Sequence, residues 1–214
     1  MAPFASATWL PLSPALTEAE VSRQRAKEAE SRQRRISQAL AVWRDSLHAV
    51  GTAVETYLRS RAITVPPPPT LRFHPALKHR DGRTYPAIVA AVQAGDRSIT
   101  GIHRTFLKVD GSEKADTLDC KLMLGICSGG AVRLATAGPV LGVCEGIETG
   151  LSAMQESDVP LWAALSTSGI KALMLPPLPV VKLRPTMTPP LKSLSALIRL
   201  ANMRIRGGHL SRET

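Results

Sequence analysis

The sequence predicts an α/β protein in which an N-terminal helical arm and a small mixed β unit precede an incomplete parallel sheet. Three observations support this fold class. Residues 17–46 contain neither Gly nor Pro, residues 71–136 include runs that alternate with a period of two, and residues 137–179 alternate short apolar runs with helix-forming runs. Alternation of strand and helix along the chain is typical of a parallel sheet covered by helices.

The N-terminal arm, residues 1–64, is predicted to contain two helices. Thr17 and Glu20 have the spacing of a capping box, in which the hydroxyl accepts from a first-turn N–H and the carboxylate reaches back. A long charged helix is therefore expected up to about Ser46. Its cations are interspersed with acids, which favours a solvated surface over a dedicated nucleic-acid arm. A second, short helix is predicted over about 53–61 and is expected to pack on later residues of the chain.

A Pro-rich linker, residues 65–70, marks a boundary, because proline ends both helices and hydrogen-bonded ladders. Beyond it we predict a mixed β unit over 71–136. The runs 87–93 and 98–107 flank a Gly-Asp turn and predict a β-hairpin. A third strand is predicted over 131–135.

Residues 137–179 predict strand, helix, strand and helix in that order. The predicted ranges are 140–144, 147–155, 161–165 and 168–174. Glu145 directly follows the first of these strands. In open α/β sheets ligands bind at the carboxyl ends of the strands, so this carboxylate is a candidate site residue.

Composition excludes several classes of protein and favours others. The net charge of +10 and the isoelectric point near 10.2 favour polyanionic partners. No apolar run approaches the ~18 residues of a membrane span, so no membrane partner is expected. The three cysteines contain no Cys-x-x-Cys pair, and no secretory signal opens the chain. We therefore expect a cytoplasmic protein without a thiolate zinc site.

Seven short motifs occur in order along the chain. They are Glu55-Thr-Tyr-Leu-Arg-Ser-Arg, Leu71-Arg-Phe-His, Gly101-Ile-His-Arg-Thr-Phe-Leu, Lys121-Leu-Met-Leu-Gly, Gly130-Ala-Val-Arg-Leu, Cys144-Glu-Gly-Ile-Glu-Thr-Gly-Leu-Ser and Trp162-Ala-Ala-Leu-Ser. Together the motifs resemble the Toprim-domain primase-like proteins of phages and plasmids. The resemblance implies a Toprim-like fold and Mg²⁺-dependent nucleotidyl transfer that makes primers for DNA replication. It implies single-stranded DNA and nucleotides as partners, with a replicative helicase as a further candidate.

The resemblance also implies site residues. Glu145 matches the first acid of Toprim proteins, a catalytic group linked to the metal, and Glu148 lies one helical turn further on and is expected to assist. Mg²⁺ neutralises the charge that develops on phosphate oxygens during nucleotide transfer. Arg104, Lys121 and Lys114 are expected to contact nucleic acid or nucleotide. The alternative for the two glutamates is that each is an acid stabilised by a helix N-terminus. The alternative for the basic residues is that they are ordinary surface cations.

The later acids of the family are missing from this chain. Between Val159 and Arg212 there is no Asp or Glu, so the Asp-x-Asp that the resemblance implies is absent. The codons for residues 183–188 permit Ala-Ala-Asp-x-Asp in a shifted frame. We therefore predict that the chain is frameshifted, and its Toprim part truncated, after about Val181, which leaves 180–214 as a basic tail. A genuine divergent tail is the alternative.

Two function classes are compatible with these observations. The first is a primase-like Toprim protein whose catalysis is impaired because the paired aspartates are absent. The second is a non-catalytic, basic module that binds single-stranded nucleic acid as a replication accessory. The set of acidic residues discriminates between them, because a lone carboxylate is a poor ligand set for a catalytic Mg²⁺.

Overall fold

A five-stranded antiparallel sheet forms the centre of the protein. The computed structural model describes residues 17–175, together with the backbone of 203–206 and 209–212. The strands follow one another in the order β1-β2-β3-β4-β5, so the sheet is a meander. Their bounds are Leu47–His48 for β1, Leu71–Lys78 for β2, Thr84–Gln93 for β3, Ile99–Phe106 for β4 and Lys121–Gly125 for β5.

The β-hairpin predicted from alternation is confirmed as β3 and β4. Ala87 lies opposite Phe106, and Val92 lies opposite Gly101, in an antiparallel register. β3 is the central strand, and its residues 87–92 are all buried because both faces of the sheet are covered. A strand buried on both faces reads as a continuous apolar run.

The long helix predicted at the N-terminus is confirmed as α1, Glu18–Asp45. Thr17 and Glu20 form the predicted capping box. Only the second half of the helix packs on the sheet, where Ala39 and Trp43 are buried. The first half is almost entirely exposed, as expected for a solvated charged surface.

Helix α2, Ala53–Ser60, packs on the opposite face of the same sheet. Tyr57 and Leu58 are fully buried in one apolar cluster that also contains Leu151 and Leu161. The predicted packing of this helix on later residues is confirmed. The Pro-rich segment at 65–70 therefore does not separate two cores, since residues on both sides of it bury their side chains together.

A second, three-stranded sheet follows the first. It contains β6, Val132–Arg133, β7, Gly142–Cys144, and β8, Leu161–Ala163, with α3, Ile147–Ser157, between β7 and β8 and α4, Thr167–Ala172, after β8. The strand order is β6-β8-β7, in which β7 and β8 are parallel and β6 is antiparallel. The protein is thus mixed α/β. The strand predicted over 131–135 as part of the first β unit is found as β6, which pairs with β8, while Ala131 bridges Gln93 at the end of β3.

Backbone hydrogen bonds and one arginine side chain join the two sheets. Gln93 exchanges two hydrogen bonds with Ala131, at 2.9 and 3.1 Å between nitrogen and oxygen. The Arg133 guanidinium donates to the Ala94 carbonyl at 2.7 Å and lies 4.3 Å from the centre of the Trp162 ring. These contacts fix the end of β3 against β6 and β8.

The C-terminal tail lies largely outside the described residues. Two short strands, β9, Met203–Arg206, and β10, His209–Arg212, pair in an antiparallel register. The predicted frameshift near Val181 falls outside the described ranges. No helix in the described part of the chain is long and apolar enough to cross a membrane.

Candidate functional site

Glu145 lies at the carboxyl end of β7, as its position in the sequence predicts. Gly146 is the N-cap residue of α3, and no side chain caps this end of the helix. The neighbouring Glu145 is exposed. The Thr167 hydroxyl, at the start of α4, donates a hydrogen bond to Glu145 Oε1. Because β7 and β8 are parallel, the residues that follow them meet at one edge of the sheet.

Glu148 has entirely different surroundings, although it is only one turn further along. Its side chain is 22% exposed and lies 3.0 Å from the Lys121 ammonium, measured from Oε1 to Nζ. The Tyr57 hydroxyl donates to the same oxygen at 3.0 Å. The Lys114 ammonium lies 3.8 Å away. Glu148 therefore connects α3 with β5, with α2 and with the loop that precedes β5.

The charges in this cluster shift the pKa values of its members. Burial on its own would raise the pKa of Glu148, but the Lys121 ammonium and hydrogen bonds to the carboxylate lower it to about 2. Burial, followed by the Glu148 charge, raises the pKa of Tyr57. Burial and the neighbouring Lys121 charge lower the pKa of Lys114. Glu148 is thus ionised, and Tyr57 is its neutral donor, at neutral pH.

His103 is a buried member of the same cluster. It is 7% exposed, and its Nδ1 atom has no hydrogen-bond partner among the described residues. Burial and the positive charge of Lys121 lower the pKa of His103 to about 4. The imidazole is therefore neutral at physiological pH, and it retains an unused hydrogen-bonding position.

Arg104 does not join this cluster. In the register of β4 and β5, Thr105 lies opposite Lys121, whereas Arg104 lies opposite Leu122. Residues opposite one another share a face of the sheet, so Arg104 is on the face that α1 covers and Lys121 is on the other. The Arg104 guanidinium donates to the Met123 carbonyl at 3.2 Å. Of the three predicted basic contacts, the structure brings together only Lys114 and Lys121.

The described residues around Glu145 and Glu148 do not fit a magnesium site. Magnesium is bound by oxygen ligands, commonly one or two carboxylates together with substrate phosphates and water. The described residues contain no group of three or more His, Cys, Asp or Glu side chains that could hold a metal ion. Glu148, the second predicted acid, is engaged by two lysines and a tyrosine. Glu145 remains as a single exposed carboxylate.

Three residues of this region were not identified from the sequence. Tyr57 and His103 stand inside the motifs that carry the resemblance, at the third position of each, and Thr167 follows the last of them. Those motifs gave the order of residues along the chain and did not indicate which side chains meet. Tyr57 and Glu148 are 91 residues apart in the sequence, so only the fold shows their contact.

Two parts of the chain match known families. Residues 140–183 match the Toprim domain family. The match supports a Toprim-domain protein. Residues 33–134 match a family described as a domain of unknown function, DUF7146. No curated protein and no solved structure matches the chain. The Toprim match covers Glu145 and Glu148. Lys114 and Lys121 lie within the residues that match DUF7146.

Proposed function

We propose that this chain is a primase-like Toprim protein of DNA replication that binds single-stranded DNA and nucleotides and is impaired in nucleotidyl transfer. One observation carries the proposal. Glu145, which lies within the residues that match the Toprim domain family, follows a strand of a parallel pair, and Glu148 of the same motif contacts lysines of the preceding unit. An acid at a strand end beside cations that can bind phosphate is an arrangement suited to phosphoryl chemistry.

Impaired catalysis is proposed from the acids that the sequence lacks. No Asp or Glu occurs between Val159 and Arg212, so the paired aspartates of the family have no counterpart after β8. The Toprim match ends at residue 183, close to the predicted frameshift at Val181. Both observations support the proposal that the residues after about Val181 no longer follow the Toprim sequence.

Primer synthesis tests this proposal. The chain is incubated with a single-stranded template, nucleotides and Mg²⁺, beside a version in which the reading frame is restored after Val181. We expect no primers from the chain as it stands and primers from the restored version. Glu145→Ala in the restored version should abolish them. Failure of the restored version to make primers, with DNA and nucleotide both bound, would contradict a primase-like function.

A non-catalytic nucleic-acid-binding module is the second candidate, and a groove beneath the exposed half of α1 favours it. The groove is lined by Gln24, Lys27, Glu28, Ser31, Arg32, Arg35 and Ile126. Three cations against one acid give it a positive surface suited to a phosphate backbone. Lys27→Gln and Arg32→Gln together should weaken binding of single-stranded DNA if this groove is the binding surface. Unchanged affinity in that variant would leave the first proposal as the better one.

A further inference from the structure

The cluster around Glu148 contains more positive charge than its one carboxylate can neutralise. Lys114 and Lys121 both face Glu148, and the charge of Arg61 also acts on Lys114. The Arg61 guanidinium lies 5.4 Å from the centre of the Tyr57 ring. Lys114 and Lys121 are two ammonium groups against the one carboxylate that they face, and this surplus of positive charge favours a further anion.

The cluster also has hydrogen-bonding capacity that is not used. The 3.8 Å between Lys114 Nζ and Glu148 Oε1 is too long for a hydrogen bond. Within residues 17–175, the Lys114 ammonium donates no hydrogen bond, and His103 Nδ1 has no partner. Of the two lysines, only Lys121 donates a hydrogen bond to the carboxylate, at 3.2 Å to Oε2.

These groups are accessible to a ligand. The side chains of Lys114 and Lys121 are 31% and 36% exposed. Glu148 is held on two sides by contacts that do not involve the lysines, since the Tyr57 hydroxyl donates to it and it stands in the first turn of α3. A helix N-terminus stabilises a carboxylate, so Glu148 retains favourable contacts after its lysine partners turn to another anion.

We propose that Glu148 is an intramolecular competitor for phosphate at Lys114 and Lys121. Its carboxylate occupies the ammonium groups in the free protein, and a phosphate group, with its higher charge and three acceptor oxygens, displaces it. The inference rests on the proposed function, in which these lysines bind the phosphates of a nucleotide. It assigns Glu148 a role opposite to that of an assisting catalytic acid, because its negative charge weakens the binding of substrate.

Titration calorimetry with inorganic triphosphate, in the absence of divalent cations, tests the inference on the full chain. Glu148→Gln removes the charge at nearly constant size, and we expect triphosphate to bind about tenfold more tightly, a change of about 1.4 kcal/mol. Lys121→Met should weaken binding. Glu156→Gln is the matched control, since Glu156 is exposed on the same helix. This variant should bind triphosphate with the affinity of the unmodified chain.

Unchanged or weaker binding by Glu148→Gln would overturn the inference. If Glu148→Gln does not melt cooperatively, Glu148→Asp serves in its place, because it retains the charge but shortens the reach to the lysines, and it should bind triphosphate more tightly than the unmodified chain. If Lys121→Met weakens binding and neither Glu148 variant strengthens it, the competitor role fails while phosphate binding stands. If no variant binds triphosphate, both fail. Tighter binding by Glu148→Gln without primers from the frame-restored chain would reject only the primase function.

Discussion

The Lys121 ammonium lies 3.0 Å from the Glu148 carboxylate and so joins the edge strand of the five-stranded sheet to the helix that follows β7. This contact connects the two parts of the chain that match different families. The Tyr57 hydroxyl adds α2 to the same carboxylate. Acidic pH should therefore weaken the association of these elements.

Glu148 is expected to make stability depend on pH in the acidic range. Its folded-state pKa is lowered from 4.5 to about 2, so its contribution is fully present above about 4.5 and is lost as the pH falls towards 2. A pKa shift of this size corresponds to roughly 3.4 kcal/mol. Because 22% of the side chain is exposed and solvent screens its charge, we expect a smaller contribution of about 2 kcal/mol at neutral pH.

Urea unfolding at pH 7 and at pH 3 measures this contribution. Glu148→Gln should be less stable than the unmodified chain at pH 7, and the difference should shrink at pH 3. Glu156→Gln, on the same helix and exposed, is the control and should change stability little at either pH. A Glu148→Gln deficit of equal size at both values would show that the carboxylate charge is not responsible.

Arg104 is expected to have no part in phosphate binding. It lies on the face of the sheet opposite Lys121 and donates to the Met123 carbonyl on the edge strand β5. Arg104→Met should leave triphosphate affinity within about twofold, whereas Lys121→Met should reduce it. Calorimetry on the two variants decides the matter, and a loss in Arg104→Met as large as that in Lys121→Met would reject the assignment of faces.

Binding to single-stranded DNA is expected to depend steeply on salt, and the basic tail should supply most of that dependence. Residues 17–175 contain 20 Lys and Arg against 16 Asp and Glu, whereas residues 176–214 contain 7 against 1. Each phosphate contact that is lost lowers the slope of log affinity against log salt by about 0.7 for single strands.

Fluorescence anisotropy between roughly 50 and 200 mM salt gives that slope. Replacing the seven tail cations with Gln should reduce it by more than half. The comparison variant replaces Arg23, Arg25 and Arg34 of α1, which stand among acids on an exposed helix, and should reduce the slope by less for each cation replaced. A slope near zero in the unmodified chain would exclude electrostatic binding.

Magnesium is expected to bind the unmodified chain no more tightly than it binds an ordinary surface carboxylate. Glu145 is the single predicted acid that remains exposed, and one of its oxygens accepts from Thr167. Glu145→Gln should therefore change a magnesium titration little. A stoichiometric site in calorimetry that disappears in Glu145→Gln would show that the ligand set is larger than we infer.

Sequence patterns predicted those elements that have a clear period or a clear cap. Thr17 and Glu20 defined the start of α1, alternation with a period of two predicted β3 and β4, and short apolar runs predicted β7 and β8. β2 was not assigned as a strand, because Pro75 interrupts it and its register shifts between His74 and Leu77. β5 has too few residues for a period to be seen.

The candidate site could be predicted only in part, because the contacts of its side chains depend on the register of the strands. The position of Glu145 follows from local sequence, since a residue directly after a strand must lie at its end. The side chain that engages Glu148 depends on which face of β5 points towards α3, and a shift in register by one residue would exchange Lys121 for Leu122. No local pattern in the sequence determines that register.

The burial of Tyr57 and Leu58 against Leu151 and Leu161 has a consequence for synthesis of the chain. Helix α2 emerges from the ribosome about a hundred residues before Leu151 and Leu161, so the part of its apolar face that these residues cover is exposed during that interval of translation. During that interval the nascent chain should attract chaperones. Once Ala163 has emerged, every buried member of this cluster among the described residues is present, and the cluster can close.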